Sequence, residues 1–236
     1  MISVIIPTLD EEGYLPRALR SVRNQGVKDL EIIVADAGSK DRTVEIAKEF
    51  DCKVVKGGMP GKGRNEGAKA ARGDIFIFLD ADAFLSPGFL KKFISQFEQK
   101  RLDIAGCSMR IPSKKPLYRV FEKLYTLYFK STEKFYPHAT NCIVARRWVH
   151  EKVSGFDETL KLGEDFEYVR ACARQGKFGF LTNVWFYASP RRAEADMGKI
   201  MIQYFLAELY MTFIGPIKSD IFKYRFGHKK EKKESA

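Results

Sequence analysis

Five short apolar runs in the first half of the chain, separated by segments of helical periodicity, limit it to one kind of fold. The runs cover residues 2–6, 30–35, 53–56, 74–79 and 103–107, and the helical segments cover 14–25, 41–50, 62–71 and 87–100. Strands and helices alternating through short connections predict a mostly parallel sheet covered on both faces. The fourth run, Asp74-Ile-Phe-Ile-Phe-Leu79, is apolar without alternation, as expected of a strand buried on both sides. Ser39 or Asp41 can cap the second helix, and Ser86-Pro87 reads as a cap followed by proline at the first helical position. After Pro112 the pattern changes. Residues 116–136 read as an aromatic, basic helix, 141–144 as a strand, 165–175 as a helix, 178–186 as a strand and 197–214 as a last helix before a basic tail. The expected class is α/β: a Rossmann-like, mostly parallel sheet flanked by helices, with a C-terminal helical extension.

With 45% hydrophobic and 30% charged residues, the chain has the composition of a globular domain. The net charge of +11 favours polyanionic partners, whether nucleic acid, anionic lipid or a phosphate-rich substrate. Cys52, Cys107, Cys142 and Cys172 are scattered, without the spacing of a zinc site or a disulfide framework, which fits a reducing compartment. The N-terminus enters a strand directly, with no export signal, so a cytoplasmic location is expected. The longest apolar stretch, 200–217, is interrupted by Gln203, Glu208 and Pro216 and is short for a bilayer span.

Polar clusters follow the strands. Pro7-Thr-Leu-Asp-Glu-Glu12 ends the first and Asp36-Ala-Gly-Ser39 the second; Gly57-Gly-Met-Pro-Gly-Lys-Gly-Arg-Asn65 follows the third and Asp80-Ala81-Asp82 the fourth. In a parallel sheet these carboxyl ends share one edge, where ligands bind. Asp36 is placed to take a base or ribose donor, while the glycine-rich turn with Lys62 or Arg64 can face phosphates. Two carboxylates on a short loop suit Mg²⁺ or Mn²⁺ bridging to phosphate. Downstream, Gly163 precedes Glu164-Asp165 at a helix start, where the helix dipole favours ionised carboxylates and Asp165 can serve as a general base or as a plain cap.

In order along the chain, Ser3-Val-Ile-Ile-Pro-Thr-Leu-Asp-Glu-Glu12, Asp36-Ala-Gly-Ser-Lys-Asp41, Gly63-Arg-Asn-Glu-Gly-Ala68, Asp80-Ala-Asp82, Gly155-Phe-Asp-Glu158 and Glu164-Asp165 resemble the motifs of family 2 glycosyltransferases of the GT-A fold. The resemblance covers residues 1–192 and implies inverting transfer from a nucleotide-sugar donor (UDP- or GDP-sugar) assisted by Mn²⁺ or Mg²⁺. It implies that Thr8, Asp10, Glu11, Asp36 and Ser39 line the nucleoside pocket with Lys62 and Arg64 near it, that Asp80 meets the ribose or metal, that Asp82 meets the metal and diphosphate, and that Asp165 is the base. It divides a catalytic domain, 1–195, into a nucleotide-sugar half, 1–112, and an acceptor half, 113–195, ahead of an amphipathic helix and basic tail, 196–236. Asp10 stands where many relatives carry Asn. The Q-x-x-R-W motif of processive members is missing, the chain reading Ala-Ser-Pro-Arg191-Arg192 instead, so transfer of a single sugar is expected. Arg191 or Arg192 can stabilise the departing diphosphate, and His138 can join the metal shell or touch the acceptor.

Two other readings compete. A nucleotidyltransferase also uses paired acids on such a sheet, but it usually wants a glycine-rich signature after the first strand, where this chain has Thr8-Leu-Asp-Glu11. A basic nucleic-acid-binding module explains the charge but not the acids at strand ends, and no nucleic-acid motif is present; nucleic acid is not an expected partner. In the helix 116–136, Leu117, Phe121, Leu124, Tyr125 and Tyr128 recur near helical spacing among basic residues. With the apolar helix 200–214 and the basic tail they fit either core packing or docking on an anionic membrane, the latter bringing a sugar or lipid-linked acceptor such as a polyprenyl phosphate or glycolipid.

Overall fold

A computed structural model describes residues 1–189, 206–211 and 214–219. The elements are β1 (Ile2–Thr8), α1 (Leu15–Arg23), β2 (Leu30–Asp36), α2 (Thr43–Glu49), β3 (Lys53–Lys56), α3 (Pro60–Ala70), β4 (Ile75–Leu79), β5 (Ala83–Leu85), α4 (Phe89–Gln99), β6 (Ile104–Arg110), α5 (Pro116–Thr132), β7 (Cys142–Arg146), α6 (Arg147–Lys152), α7 (Glu164–Gln175) and β8 (Phe178–Ala188). The strands form one sheet in the order β3-β2-β1-β4-β7-β6-β8-β5. β1 to β4 run parallel; β7 enters antiparallel between β4 and β6. The sheet therefore joins residues from before and after Pro112 into one layer.

The unbroken apolar runs work as expected. Along β1, Val4 and Ile6 face one core and Ile5 the other; along β4, Ile77 and Leu79 face the first and Phe76 and Phe78 the second. The first core is closed by Leu15 and Leu19 of α1, Ile46 of α2 and Phe89, Phe93 and Phe97 of α4. The second is closed by Ala68 of α3, Val149 of α6 and Tyr168, Val169 and Cys172 of α7. Both faces of the central strands are thus sealed from water, the condition for a parallel sheet.

Two local expectations change. α4 starts at Phe89 behind Gly88, whose φ of 68° lies in the left-handed region, so Ser86 and Pro87 precede the helix rather than open it. The glycine-rich segment lies partly inside α3, which begins at Pro60. There Gly67 serves packing: a Cβ at that position would sit 2.3 Å from Cγ2 of Ile5, so the missing side chain lets α3 lie close on β1.

Candidate active site

The register of the parallel strands sets the site. Thr8 lies beside Asp36, and Asp36 beside Lys56, so β1, β2 and β3 end together. Since the chain winds from β1 out to β3 and returns to β4, the crevice beyond β1 and β4 is a topological switch point. β7 starts at this edge because it runs antiparallel: Cys142 pairs with Leu79, and the Asp80 N–H donates to the Asn141 carbonyl at 2.9 Å.

The loops after β1 and β2 are laced into one ledge. Asp36 accepts the Thr8 hydroxyl at 3.2 Å and the Ser39 hydroxyl on Oδ1, and the Gly38 and Ser39 N–H groups at 2.9 Å on Oδ2. Asp10 donates its N–H to the Ser39 hydroxyl at 2.9 Å and accepts the Lys40 N–H at 2.7 Å. Its φ of 54° is left-handed, a conformation that Asp and Asn both tolerate. Glu11 donates its N–H to the Thr43 hydroxyl at 2.7 Å. The structure therefore brings together Thr8, Asp10, Glu11, Asp36 and Ser39. The four donors already on Asp36 match the capacity of a carboxylate, so a base N–H would have to displace one of them.

Arg64 of α3 lies at the centre of the acids. Its guanidinium, 4% exposed, contacts Asp80 Oδ1 at 2.8 Å, Glu164 Oε1 at 2.9 Å and Asp165 Oδ1 at 3.1 Å. The sequence placed Arg64 toward phosphates; the fold commits it to three carboxylates, which keep it protonated despite burial. Lys62, two residues earlier in α3, is exposed. Asp80 Oδ2 accepts the Asn141 side-chain amide at 2.8 Å, so both Asp80 oxygens are engaged. Asp82 is half-buried beside it.

Asp165 departs from expectation. The helix start was expected to keep it ionised, but burial pushes its carboxyl up to about 8. Arg64 and the Asn141 main chain hold the value down, while Glu164 and Asp80 raise it. Its Oδ1 is near enough to Arg64 for ion pairing but makes no aligned hydrogen bond. A carboxyl balanced near neutral pH, backed by a fixed cation, can take and release a proton.

Sequence reasoning missed the frame around this cluster. Asn65 accepts the Phe156 N–H at 2.8 Å and donates to the Phe156 carbonyl and Glu158 Oε1, each at 2.9 Å. This pins the Gly155-Phe-Asp-Glu158 turn and sets the Phe156 ring 5.3 Å from the Arg64 guanidinium. Gly155 has φ of 77°, and a Cβ there would lie 2.4 Å from Asn65 Oδ1. Asn65→Ala is expected to leave the Phe156 N–H and carbonyl unpaired in the interior, at about 1–3 kcal/mol for each; urea unfolding checks it, and a loss under about 0.5 kcal/mol would show that the turn holds without Asn65. Glu164, quoted in a motif without a role, and Asn141, with φ of 60° just before β7, complete the set. The pairing of two acids after a glycine was the one signal for Glu164.

His138 is buried among Phe129, with ring centroids 4.1 Å apart, Tyr128 and Phe166. Its Nδ1 donates to the Tyr136 carbonyl at 2.6 Å, its Nε2 has no hydrogen-bond partner among the described residues, and burial lowers its pKa. Among the described residues no three His, Cys, Asp or Glu side chains gather as a metal set, so His138 is not brought into one with Asp80 and Asp82. A hard cation that takes its remaining ligands from a diphosphate and water needs only one or two carboxylates. Asp82, with Asp80, fits that donor set. Arg191 and Arg192 lie outside the described residues.

A doubly wound sheet with an acidic turn at its switch point and a second acid pair at a facing helix start defines a GT-A-type domain. The sequence model of Glycosyl transferase family 2 matches residues 3–155, and the chain belongs to that family. The uncharacterized glycosyltransferase EpsJ of Bacillus subtilis is 28% identical over 202 residues, 75% of this chain and 57% of EpsJ. The crystal structure of Staphylococcus aureus TarS 1-349 in complex with UDP-GlcNAc matches with a TM-score of 0.63 at 23% identity, over 80% of this chain and 58% of that one. The mannosyltransferase PcManGT from Pyrobaculum calidifontis, in complex with GDP-Man and Mn²⁺, matches with a TM-score of 0.63 at 20% identity, over 79% and 56%. The chain thus spans less than two thirds of the length of each. At these identities the two structures speak for the fold.

Proposed function

We propose that this chain moves a single sugar from a nucleoside diphosphate donor, UDP- or GDP-linked, to an acceptor hydroxyl or phosphate with inversion at the anomeric carbon. The observation that carries the reading is the placement of Asp165: its carboxyl, 13% exposed, lies 3.1 Å from the Arg64 guanidinium that also holds Asp80 at the switch-point end of the sheet, and its pKa is raised to about 8. Family membership favours sugar transfer over nucleotidyl transfer.

The ledge of Thr8, Asp10, Glu11, Asp36 and Ser39 takes the nucleoside, with exposed Lys62 near the phosphates. The acceptor oxygen attacks the anomeric carbon on the face away from the diphosphate while its proton passes to the Asp165 carboxylate. The bond from that carbon to the phosphate oxygen breaks, and its electron pair leaves on the nucleoside diphosphate. Arg191 or Arg192 meets that charge. Asp82, with Asp80, would hold Mn²⁺ or Mg²⁺, which when bound offsets negative charge on the diphosphate. Arg64 holds Asp80, Glu164 and Asp165 together in one cluster that keeps a net negative charge.

The test is a thermal-shift screen of UDP-, GDP- and dTDP-sugars with and without Mn²⁺, followed by product stereochemistry with the donor that binds. Donor at about 100 times its Kd stabilises by about 2.7 kcal/mol; no shift with any nucleotide sugar, or a product of retained configuration, overturns the reading. Metal dependence has its own check. Chelation is expected to stop transfer and added Mn²⁺ to restore it, with Asp82→Asn raising the half-maximal Mn²⁺ concentration by more than the roughly 10–100-fold typical of losing an outer-shell partner. Unchanged transfer after chelation would remove the metal from the scheme.

A further inference from the structure

Exposed apolar side chains are concentrated on one part of the surface. Leu117, Val120, Leu124 and Leu127 of α5 are 62%, 54%, 57% and 65% exposed, and Phe135 beyond the helix is 77% exposed. Their spacing of three, four and three residues puts the four α5 side chains on one stripe. The sequence alone did not separate this stripe from the packed one: Tyr118 and Phe129 are buried, and Phe121 and Tyr125 pack on the core. α5 therefore has two apolar faces, and the side chains of one of them are more than half exposed.

The stripe continues onto a second segment. Leu206 and Leu209 of the helical residues 206–211, and Ile214 beyond them, are exposed, and the Tyr128 hydroxyl donates to Glu208 at 2.6 Å between the two segments. On its inner side that helix buries Met211 where a side chain at Gly163 would be, directly before Glu164 and Asp165. The apolar surface thus borders the helix start that carries the base.

Charge decides what covers it. Lys114, Lys115, Arg119, Lys123 and Lys134 are exposed around the stripe, and none forms an ion pair among the described residues. A second copy of this face would set these cations against their own kind. An anionic bilayer supplies the opposite charge together with an apolar layer for the leucines.

We propose that α5 and the helix 206–211 seat this protein on the surface of an anionic lipid bilayer, with Leu117, Val120, Leu124 and Leu127 entering the headgroup boundary and the flanking lysines and Arg119 meeting lipid phosphates. No helix among the described residues is long and apolar enough to cross a membrane. The contact stands apart from the transfer reading; its consequence, that the acceptor is carried on a lipid, rests on that reading.

The experiment is cosedimentation of the full chain with phosphatidylglycerol/phosphatidylcholine vesicles and with phosphatidylcholine alone, for the wild type and for Leu124→Glu/Leu127→Glu. Thermal unfolding confirms that the variant is folded, and nucleotide-sugar binding is read in parallel. Wild-type protein is expected to pellet with the anionic vesicles, more weakly at high salt, and the variant to lose affinity about tenfold or more while binding donor normally. Equal pelleting of the two proteins would assign binding to other basic segments and overturn the proposal. So would a failure of the wild type to pellet, or a lipid-free dimer that the variant dissociates. Vesicle binding without any nucleotide-sugar affinity would leave the membrane contact standing and remove the transfer reading.

Discussion

Asp165→Asn is expected to reduce the turnover number by roughly 10²–10⁴-fold, the contribution of a general base, with donor affinity nearly unchanged. Asn keeps the shape beside Arg64, but it cannot take the acceptor's proton. Isothermal titration of the donor beside single-turnover transfer separates the two effects, and a parallel loss of donor binding would make Asp165 a structural member of the cluster. Stability supplies a second readout with a defined sign. The folded-state value of about 8 for Asp165 lies above that of an exposed aspartate, about 3.9. The folded chain therefore holds this proton more tightly than the unfolded chain. Stability from this group is full below pH about 4 and falls as pH rises to about 8. The Asn variant lacks this penalty, so its stability relative to wild type should rise across that window. A flat difference would place Asp165 in a solvated setting.

Arg64→Met should have the larger effect on folding. Methionine fills most of the same space but leaves Asp80, Glu164 and Asp165 without the guanidinium that touches all three. Removing one partner of a buried ion pair costs about 3–5 kcal/mol because the remaining charge stays desolvated. The loss should be greatest near neutral pH and shrink as the medium is acidified, because the abandoned carboxylates can then be neutral in the folded state. Denaturant unfolding at several pH values checks this. A cost under about 1 kcal/mol, the range of exposed pairs, would mean that water enters the cluster and screens it.

Much of the frame was legible. Unbroken apolar runs such as Ile75–Leu79 can only be satisfied by burial on two sides, so periodicity alone announced the parallel sheet and its helices. Polar residues immediately after those runs had to fall on one edge, which placed Thr8, Asp36 and Asp80 together before any coordinates. Two elements were not legible. β5 has three residues and is a strand only because β8 pairs with it, and α6 is a short helix whose Val149 and His150 are buried by their neighbours. Neither has enough residues to show a period.

The sequence by itself determined the α/β class, the shared carboxyl edge of the strands and the acids that stand on it, because backbone periodicity and the end of each apolar run are local properties. The tertiary structure decided what surrounds those acids. It set Arg64 16 residues from Asp80 and 100 residues from Glu164 along the chain into one cluster. It moved the Asp165 carboxyl from an expected ionised state toward neutrality, and it turned Leu117, Val120, Leu124 and Leu127 outward while Tyr118 and Phe129 went in. Desolvation and Coulomb energy depend on which groups meet in a low-dielectric interior and which face of a helix meets the core. Those are properties of the packed chain, and residue order alone does not contain them.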